Sequence, residues 1–536
     1  MPVEQPIVLA TALAAFREAI GDANVRVEPH SLESASTATF ATTARILAIL
    51  KPSSRHDVQR CVAIAARFVI RIYVVSSGRN WGYGSRVPVV SDSVLIDLSA
   101  LNQIIAIDED LGWVTIEPGV TQRQLFEYLK GRRSRLWIDA TGSSPDTSVI
   151  GNAMERGFGH TPYGDHAANL CGLEVVLPNG DLLETGMARF ADAHAAPVYK
   201  WGLGPSLDGL FTQSNLGIVT RATVWLMPEP EHFQAFFFRC DTADDLVSVV
   251  DALRPLRLDG TVKSAIHIAN SYKVIAGLIQ YPWHETNGAT PLTPEIMSAF
   301  RAKLNFGEWN GSGGLYGTRA QVAEARRLIR VRLKGKVARI TFLDERLFRI
   351  ASRYSALFGL LSRWNISRAL DLARPVFGLL KGVPTERPLA AAYWRKRNPP
   401  PVDMDPDRDR CGLMWCAPVA PTDGEHARKI AEISIETILK HRFEPLLSFT
   451  MITERALICV ISLTWDRDVA GEDQNARVCF EELQDQLLKA GYPPYRLGIQ
   501  AMNLIDTDPG YTGLLQALKS WTDPAGILAP GRYLPL

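Results

Sequence analysis

The 536-residue chain has almost no charge imbalance: 58 Lys and Arg stand against 57 Asp and Glu, a formal net charge of +1. With no basic-aromatic tract either, nothing supports nucleic-acid binding. Cysteine is scarce and scattered: Cys61, Cys171, Cys240, Cys411, Cys416, Cys459 and Cys479 are odd in number and mostly set in apolar runs. No CxxC pair occurs, so neither a disulfide framework nor a zinc site is indicated. No uncharged apolar run reaches membrane-spanning length. Met1 to Ile20 lacks a basic n-region and carries Glu4, Arg17 and Glu18, which argues against a signal peptide. Internal repeats and low-complexity segments are absent. The default expectation is a cytoplasmic enzyme of two or three domains acting on a small molecule, with no nucleic-acid or membrane partner.

The most informative stretch that is present runs from Val74 to Gly84, an apolar strand ending in a glycine-rich loop. Gly78, Gly82 and Gly84 can turn backbone N–H groups inward without a Cβ clash, and Arg79 adds a fixed positive charge, so a pyrophosphate is a natural guest. The spacing is not G-x-G-x-x-G, and Ser85-Arg86-Val87-Pro88 follows where a Rossmann helix would begin, which argues against a Rossmann loop. A glycine-rich loop alone is more often an ordinary turn.

Around this loop the pattern alternates between helix and strand. Residues 10–20 and 56–67 have helical spacing, while Val94–Leu98, Ile104–Ile107 and Trp113–Glu117 read as strands. Thr121 is placed to cap a helix over Gln122–Lys130. Leu173 to Glu184 reads as a hairpin with a type I′ turn at Asn179-Gly180. A strand from Ile218 to Met227 ends at Pro228-Glu229-Pro230, where a boundary is placed. Further on, Thr242 is expected to cap a helix over Ala243–Leu253, and Thr318–Lys334 is helical. Thr422-Asp423-Gly424-Glu425 reads as a capping box, and Asn475–Ala490 as a helix ended by Gly491. Arg397–Arg410 is a loop. The leucine-rich stretch Phe348–Lys381, with Arg353, Arg363, Arg368 and Arg374, is read as cap helices in preference to a membrane-surface helix.

Four segments together resemble the flavin-dependent vanillyl-alcohol oxidase and p-cresol methylhydroxylase family. They are the loop Gly78–Gly84, the segment Gly151–His166, the segment Trp201–Thr220, and the pair Tyr495-Arg496 with the closing Ile527–Arg532. The resemblance implies an α+β, two-domain flavoprotein fold. A split FAD-binding domain over residues 1–235 and 500–536 encloses an α+β cap, or substrate, domain over 236–499. It also implies FAD as cofactor, bound by Ser77, Gly78, Arg79, Asn80, Trp81, Gly82, Pro118, Gly151, Asn152, Gly157, Gly159, Tyr163, Asn215, Gly217, Ile218 and Arg532.

In phenol-oxidising members of the family, two tyrosines and an arginine hold the substrate as its phenolate, and the matching positions here are Tyr83, Tyr495 and Arg496. Asp165 matches an acidic position at the flavin's reactive edge, where it acts as a base or stabilises the electron-poor intermediate; alternatively, Asp165 and His166 order a loop. Two departures stand out. The position that tethers FAD through histidine reads as Leu413, which favours dissociable FAD, with Tyr393 or Cys411 as the remaining covalent candidates. A cap-strand Met-His-His is replaced by Ala456-Leu457-Ile458-Cys459, which suggests a greasier or larger substrate.

The expected activity is hydride removal from an activated C–H, the benzylic carbon of a para-substituted phenol or 4-hydroxybenzyl-type alcohol. The alternatives are a non-phenolic alcohol, amine or hydroxy acid as substrate, and a non-catalytic flavin-binding protein. Electrons pass to O2 or to an electron-accepting protein, and the family often forms homodimers.

Overall fold

The computed structural model describes residues 4–353, 366–504 and 508–534. Three sheets organise them. The first has the order Val25–Arg26, Ile46–Leu50, Ser93–Asp97, Ile72–Val75, with its last three strands parallel. Its strands read as continuous apolar runs (Ile46-Leu47-Ala48-Ile49-Leu50) because both faces are covered. Helices Glu4–Ile20 and Arg55–Phe68 bury Phe16, Val58, Cys61 and Val62 against it. Ile72 also pairs in parallel with Leu528, the Ile72 N–H bonding to the Ile527 carbonyl at 2.8 Å and the Ala529 N–H to the Ile72 carbonyl at 2.8 Å. The C-terminal tail thus joins the N-terminal sheet at the edge strand that leads into the glycine-rich loop.

The second sheet is antiparallel, in the order Ile104–Asp108, Trp113–Ile116, Ile218–Trp225, Leu170–Val176, Leu182–Glu184. The hairpin at Asn179-Gly180 forms, but its turn is not type I′. Pro178 fixes a negative φ at the first turn position, and Gly180 alone takes the left-handed conformation at φ 92°. The result is a type I turn closed by an αL glycine.

The third sheet is the largest, with eight strands, and opens at His232. Its order is Arg339–Asp344, His232–Cys240, Trp309–Gly317, Ile266–Asn270, Leu446–Met451, Ala456–Asp466, Cys411–Cys416, with Val419–Pro421 also paired to Ala456–Asp466. Alternation along these strands divides two faces. Phe236, Ile268, Leu447, Phe449, Cys459, Ile461 and Trp465 join a core with helices Asp245–Leu258, Gly424–Lys440 and Glu472–Lys489. The intervening residues, among them His267, Ser448, Thr450, Ser462 and Thr464, face a cavity.

Local chemistry accounts for most helix ends. Thr121 and Thr318 cap their helices through side-chain oxygens, and Gly491 follows the C-cap at φ 85°. Two expected caps shift. The helix after Thr242 begins at Asp245, and the Asp245 carboxylate instead accepts the Asp241 and Thr242 N–H groups. Asp423, not Thr422, caps Gly424–Lys440. The arginine- and leucine-rich stretch forms helices Glu345–Arg353 and Ile366–Leu379; Arg363 lies outside the described residues. Among the described residues, no helix is long and apolar enough to cross a membrane.

Gly82 joins the glycine-rich loop to the large sheet. It sits at φ 77°, and a Cβ there would lie 2.0 Å from the Trp415 ring. Gly82→Ala is therefore expected to cost about 1–3 kcal/mol from overpacking and left-handed strain. A lowered Tm with faster flavin loss is the expected result, and an unchanged Tm would show that this contact is not tight.

Candidate active site

A cavity of about 1430 Å³ opens between the first two sheets and the polar face of the third. One end is built around the strand-to-loop turn after Val75. Ser148 caps the short helix Val149–Met154, its hydroxyl accepting from the Gly151 N–H at 2.8 Å and donating to the Pro118 carbonyl at 2.6 Å. Its own N–H donates to Ser77 Oγ at 3.1 Å. One serine thus fixes three segments of the wall. A Cβ on Gly151 would lie 2.2 Å from Ser76 Oγ, so the backbones approach here as only glycine permits. Ser77, Gly78, Arg79, Asn80, Trp81, Pro118, Gly151, Asn152, Gly157, Asn215, Gly217, Ile218 and Arg532 all face the cavity.

Gly82, Gly159, Tyr163 and Asp165, expected at the same site, do not. The Gly82 N–H donates to Thr39 Oγ1 at 3.0 Å, so it is not an anion donor, and the glycine serves the contact with Trp415. Gly159 is demanded by Asp139, whose carboxylate a Cβ would strike. Tyr163 borders a separate small void. The Asp165 carboxylate accepts the Ala168 N–H at 3.0 Å and orders a turn. Asp139, unremarked in the sequence, collects the His160 and Thr161 N–H groups and His166 Nε2 at 2.8 Å. His166 Nδ1 in turn meets Asn152 Oδ1 at 2.6 Å, so His166 positions a side chain of the cavity wall.

The polar centre of the cavity lies where the C-terminal tail returns. Glu155, one residue beyond Val149–Met154, accepts from Arg496 Nε at 3.1 Å and is also paired with Arg532. Arg532 donates to the Tyr73 hydroxyl at 2.7 Å, and Arg496 to Asn80 Oδ1. The Tyr533 hydroxyl reaches Glu155 at 3.3 Å. Burial raises the Glu155 pKa, but Arg532 and Arg496 outweigh it and hold the carboxyl below its ordinary value. One carboxylate therefore faces two guanidinium groups, leaving one uncompensated positive charge.

Above this cluster the Tyr83 ring lies 4.2 Å from the Arg496 guanidinium, and Tyr495 lines the same cavity. Burial pushes both phenols up, Tyr83 furthest, so both are neutral donors. Two neutral hydroxyls beside an excess guanidinium suit an anionic oxygen. Tyr83 and the consecutive pair Tyr495-Arg496, distant from it in sequence, meet here. Glu155 is the carboxylate that faces the cavity among the described residues, against Arg79, Arg239, Lys273, Lys303, Arg339, Arg387, Arg496 and Arg532. Its signal was its place two residues before Gly157 in the Gly151–His166 segment.

The Ala456–Cys459 stretch gives a different wall from the one expected. Leu457 and Cys459 point to the helices, and Val460, Ser462 and Thr464 of the same strand face the cavity beside His267 and Thr450. His267 stacks on His160 with ring centroids 4.2 Å apart, and burial holds its pKa well below the ordinary value, so it is neutral. On the strand Ala456–Asp466 the cavity face is carried by Val460, Ser462 and Thr464, not by Ala456–Cys459.

A family model described as an FAD binding domain matches residues 46–186. The chain is 43% identical to a 1'-carboxy-chondrochloren decarboxylase from Chondromyces crocatus, over 98% of this chain and 97% of the relative. It is 32% identical to the 4-cresol dehydrogenase [hydroxylating] flavoprotein subunit of Pseudomonas putida, over 97% and 94%. The solved 4-ethylphenol oxidase from Gulosibacter chungangensis, in an isoeugenol complex, superposes with a TM-score of 0.88 at 28% identity, over 98% of this chain and 97% of that one. The fold is the two-domain α+β flavoprotein fold, and the protein is an FAD-dependent oxidoreductase. It belongs to the vanillyl-alcohol oxidase and p-cresol methylhydroxylase family.

The two acids are expected to separate on substitution. Asp165→Asn keeps the acceptor for Ala168 and should change stability by no more than about 0.5 kcal/mol, with little change in flavin reduction rate. Glu155→Gln leaves two buried guanidinium groups uncompensated and should destabilise the fold by about 3–5 kcal/mol. Chemical denaturation with stopped-flow reduction checks both; the reverse ranking would put the functional acid at Asp165.

Proposed function

We propose that the protein removes hydride from the benzylic carbon of a para-substituted phenol bound as its phenolate. The observation that carries this reading is the meeting of Tyr83, Tyr495 and Arg496 in one cavity over a cluster with an unbalanced positive charge. Ionising the phenol pushes electron density through the ring to the para side chain and eases departure of hydride. Tyr83 and Tyr495 donate to the phenolate oxygen, Arg496 supplies the charge, and Glu155 and Asn80 hold Arg496 in place. FAD, when bound, supplies the hydride acceptor. A non-phenolic substrate would have no use for two neutral phenols beside an uncompensated cation, and a non-catalytic flavin binder would have no use for the cluster at all.

The finer assignments belong to the same reading. The glycine-rich loop with Arg79, and Gly151, Asn152, Gly157, Asn215, Gly217 and Ile218, line the FAD cradle. The cofactor is non-covalent: Leu413 faces the cavity, whereas the Tyr393 hydroxyl is committed to Asp409 at 2.5 Å and burial holds the Cys411 thiol strongly protonated. The cap runs over 236–499. Seven buried, unpaired thiols fit a reducing, cytoplasmic setting. The electron acceptor is O2 or a redox protein, and the assembly is a homodimer.

Tyr495→Phe and Arg496→Ala are expected to raise the barrier to flavin reduction by about 2–4 kcal/mol, as loss of an oxyanion donor does. Anaerobic flavin bleaching by 4-hydroxybenzyl alcohol and 4-ethylphenol measures this. Equal bleaching by non-phenolic alcohols, or wild-type rates in both variants, would contradict the phenolate reading.

A further inference from the structure

Several buried or half-buried lysines keep a carboxylate. Lys396 pairs with Asp466 at 2.7 Å and Lys519 with Asp523 at 2.8 Å. Lys273 does not. Asn270 caps the helix Ser271–Ala276 by accepting the Lys273 N–H at 2.9 Å, and this turns the lysine side chain into the cavity. Its Nζ donates to Ser462 Oγ at 2.7 Å and lies 5.0 Å from the Trp415 ring centroid. Among the described residues it has no carboxylate partner, and burial alone moves its pKa down to about 8. A cation kept out of water without a counter-ion is costly, and the cost is offset when a ligand supplies the anion.

The surroundings say which chamber it serves. Trp415 donates its indole N–H to the Trp81 carbonyl at 3.0 Å and packs on Gly82, the residue before Tyr83. The ammonium therefore shares a chamber with the phenol-binding tyrosines. Ser448, Thr450 and Thr464 on the same wall offer hydroxyl donors where an alkylphenol would need only apolar surface.

We propose that Lys273 and Ser462 form an anion subsite for a carboxylate carried on the side chain of the phenol, and that this carboxylate leaves as carbon dioxide once the benzylic hydride is removed. The proposal rests on the phenol-oxidation reading of the same site. With the carboxylate on the carbon next to the benzylic one, hydride carries its electron pair from the benzylic carbon to oxidised flavin and leaves a quinone methide. The bond to the carboxylate carbon then breaks. Its electron pair forms the side-chain double bond and restores the phenolate, and the carboxylate becomes CO2. The substrate loses two electrons, the flavin gains them, and the phenolate recovers its proton on release. Loss of CO2 also removes the anion from Lys273, which frees a neutral vinylphenol. One relative at 43% identity is named a decarboxylase, which agrees with this chemistry.

The test uses the FAD-loaded protein with 3-(4-hydroxyphenyl)propanoate, its amide and 4-propylphenol, reading affinity from perturbation of the flavin absorption. In the wild type the acid should bind about tenfold or more tighter than the amide, as a charge-assisted contact provides. In Lys273→Met that ratio should fall to about one, and Lys273→Arg should recover part of it. Anaerobic turnover of the acid should give 4-vinylphenol and CO2 equimolar with reduced flavin. Equal wild-type affinities for acid and amide, a ratio unchanged in Lys273→Met, or a product that retains its carboxylate would overturn the proposal. If 4-propylphenol reduces the flavin and the acid has no advantage, the anion subsite alone fails. If no phenol, charged or neutral, perturbs or reduces the flavin, the phenol reading fails with it.

Discussion

The site depends on one shared carboxylate. Glu155 accepts from Arg496 and Arg532, which approach from two points of the C-terminal part of the chain, and so locks the returning tail against the helix Val149–Met154. The pairing of Ile527 and Ala529 with Ile72 delivers Arg532 to that point. Because one acid serves two guanidinium groups, the cluster stays electropositive while each arginine remains held. A second carboxylate would neutralise it, and none would leave two buried cations without a counter-ion. The balance at one excess charge suits the binding of a single phenolate.

The rest of the cavity follows from two further constraints. Alternation in the eight-stranded sheet puts one set of side chains, Phe236, Leu447, Phe449 and Trp465 among them, against the helices and the other, with His267, Thr450, Ser462, Leu413 and Trp415, toward the cavity, so one set of strands makes both a core and a ceiling of mixed polarity. The glycine-rich loop joins the two parts of the fold, with Gly82 under Trp415 and Gly84 against Ile499. Its glycines therefore do two jobs. Gly78 borders the cavity, whereas the later two let the large sheet and the C-terminal segment close onto Tyr83.

Much of the fold was legible from short apolar runs and helix caps, because these are local signals. Val94–Leu98, Ile104–Ile107 and Trp113–Glu117 fell on strands, and Thr121 on its cap. Thr242 and Thr422 misled because neighbouring aspartates compete for the same N–H groups, and the choice depends on the backbone angles of the entering chain. Family spacing brought Tyr83, Tyr495 and Arg496 together. It could not tell Asp165 from Glu155, since a turn sends one outward and the other meets partners more than 300 residues away. The cavity face of the strand Ala456–Asp466 was missed for a related reason: a strand shows two faces, and Ala456–Cys459 carries none of the lining residues.

On the proposed function, the Tyr83–Tyr495–Arg496 chamber binds its ligand as an anion. Ultraviolet difference spectroscopy of an unreactive para-substituted phenol bound to the oxidised protein at pH 6 tests this most directly. Anionic binding gives the absorption of the phenolate at a pH where the free compound is fully protonated, and its loss in Arg496→Ala. The spectrum of a neutral phenol in the wild-type complex would contradict it.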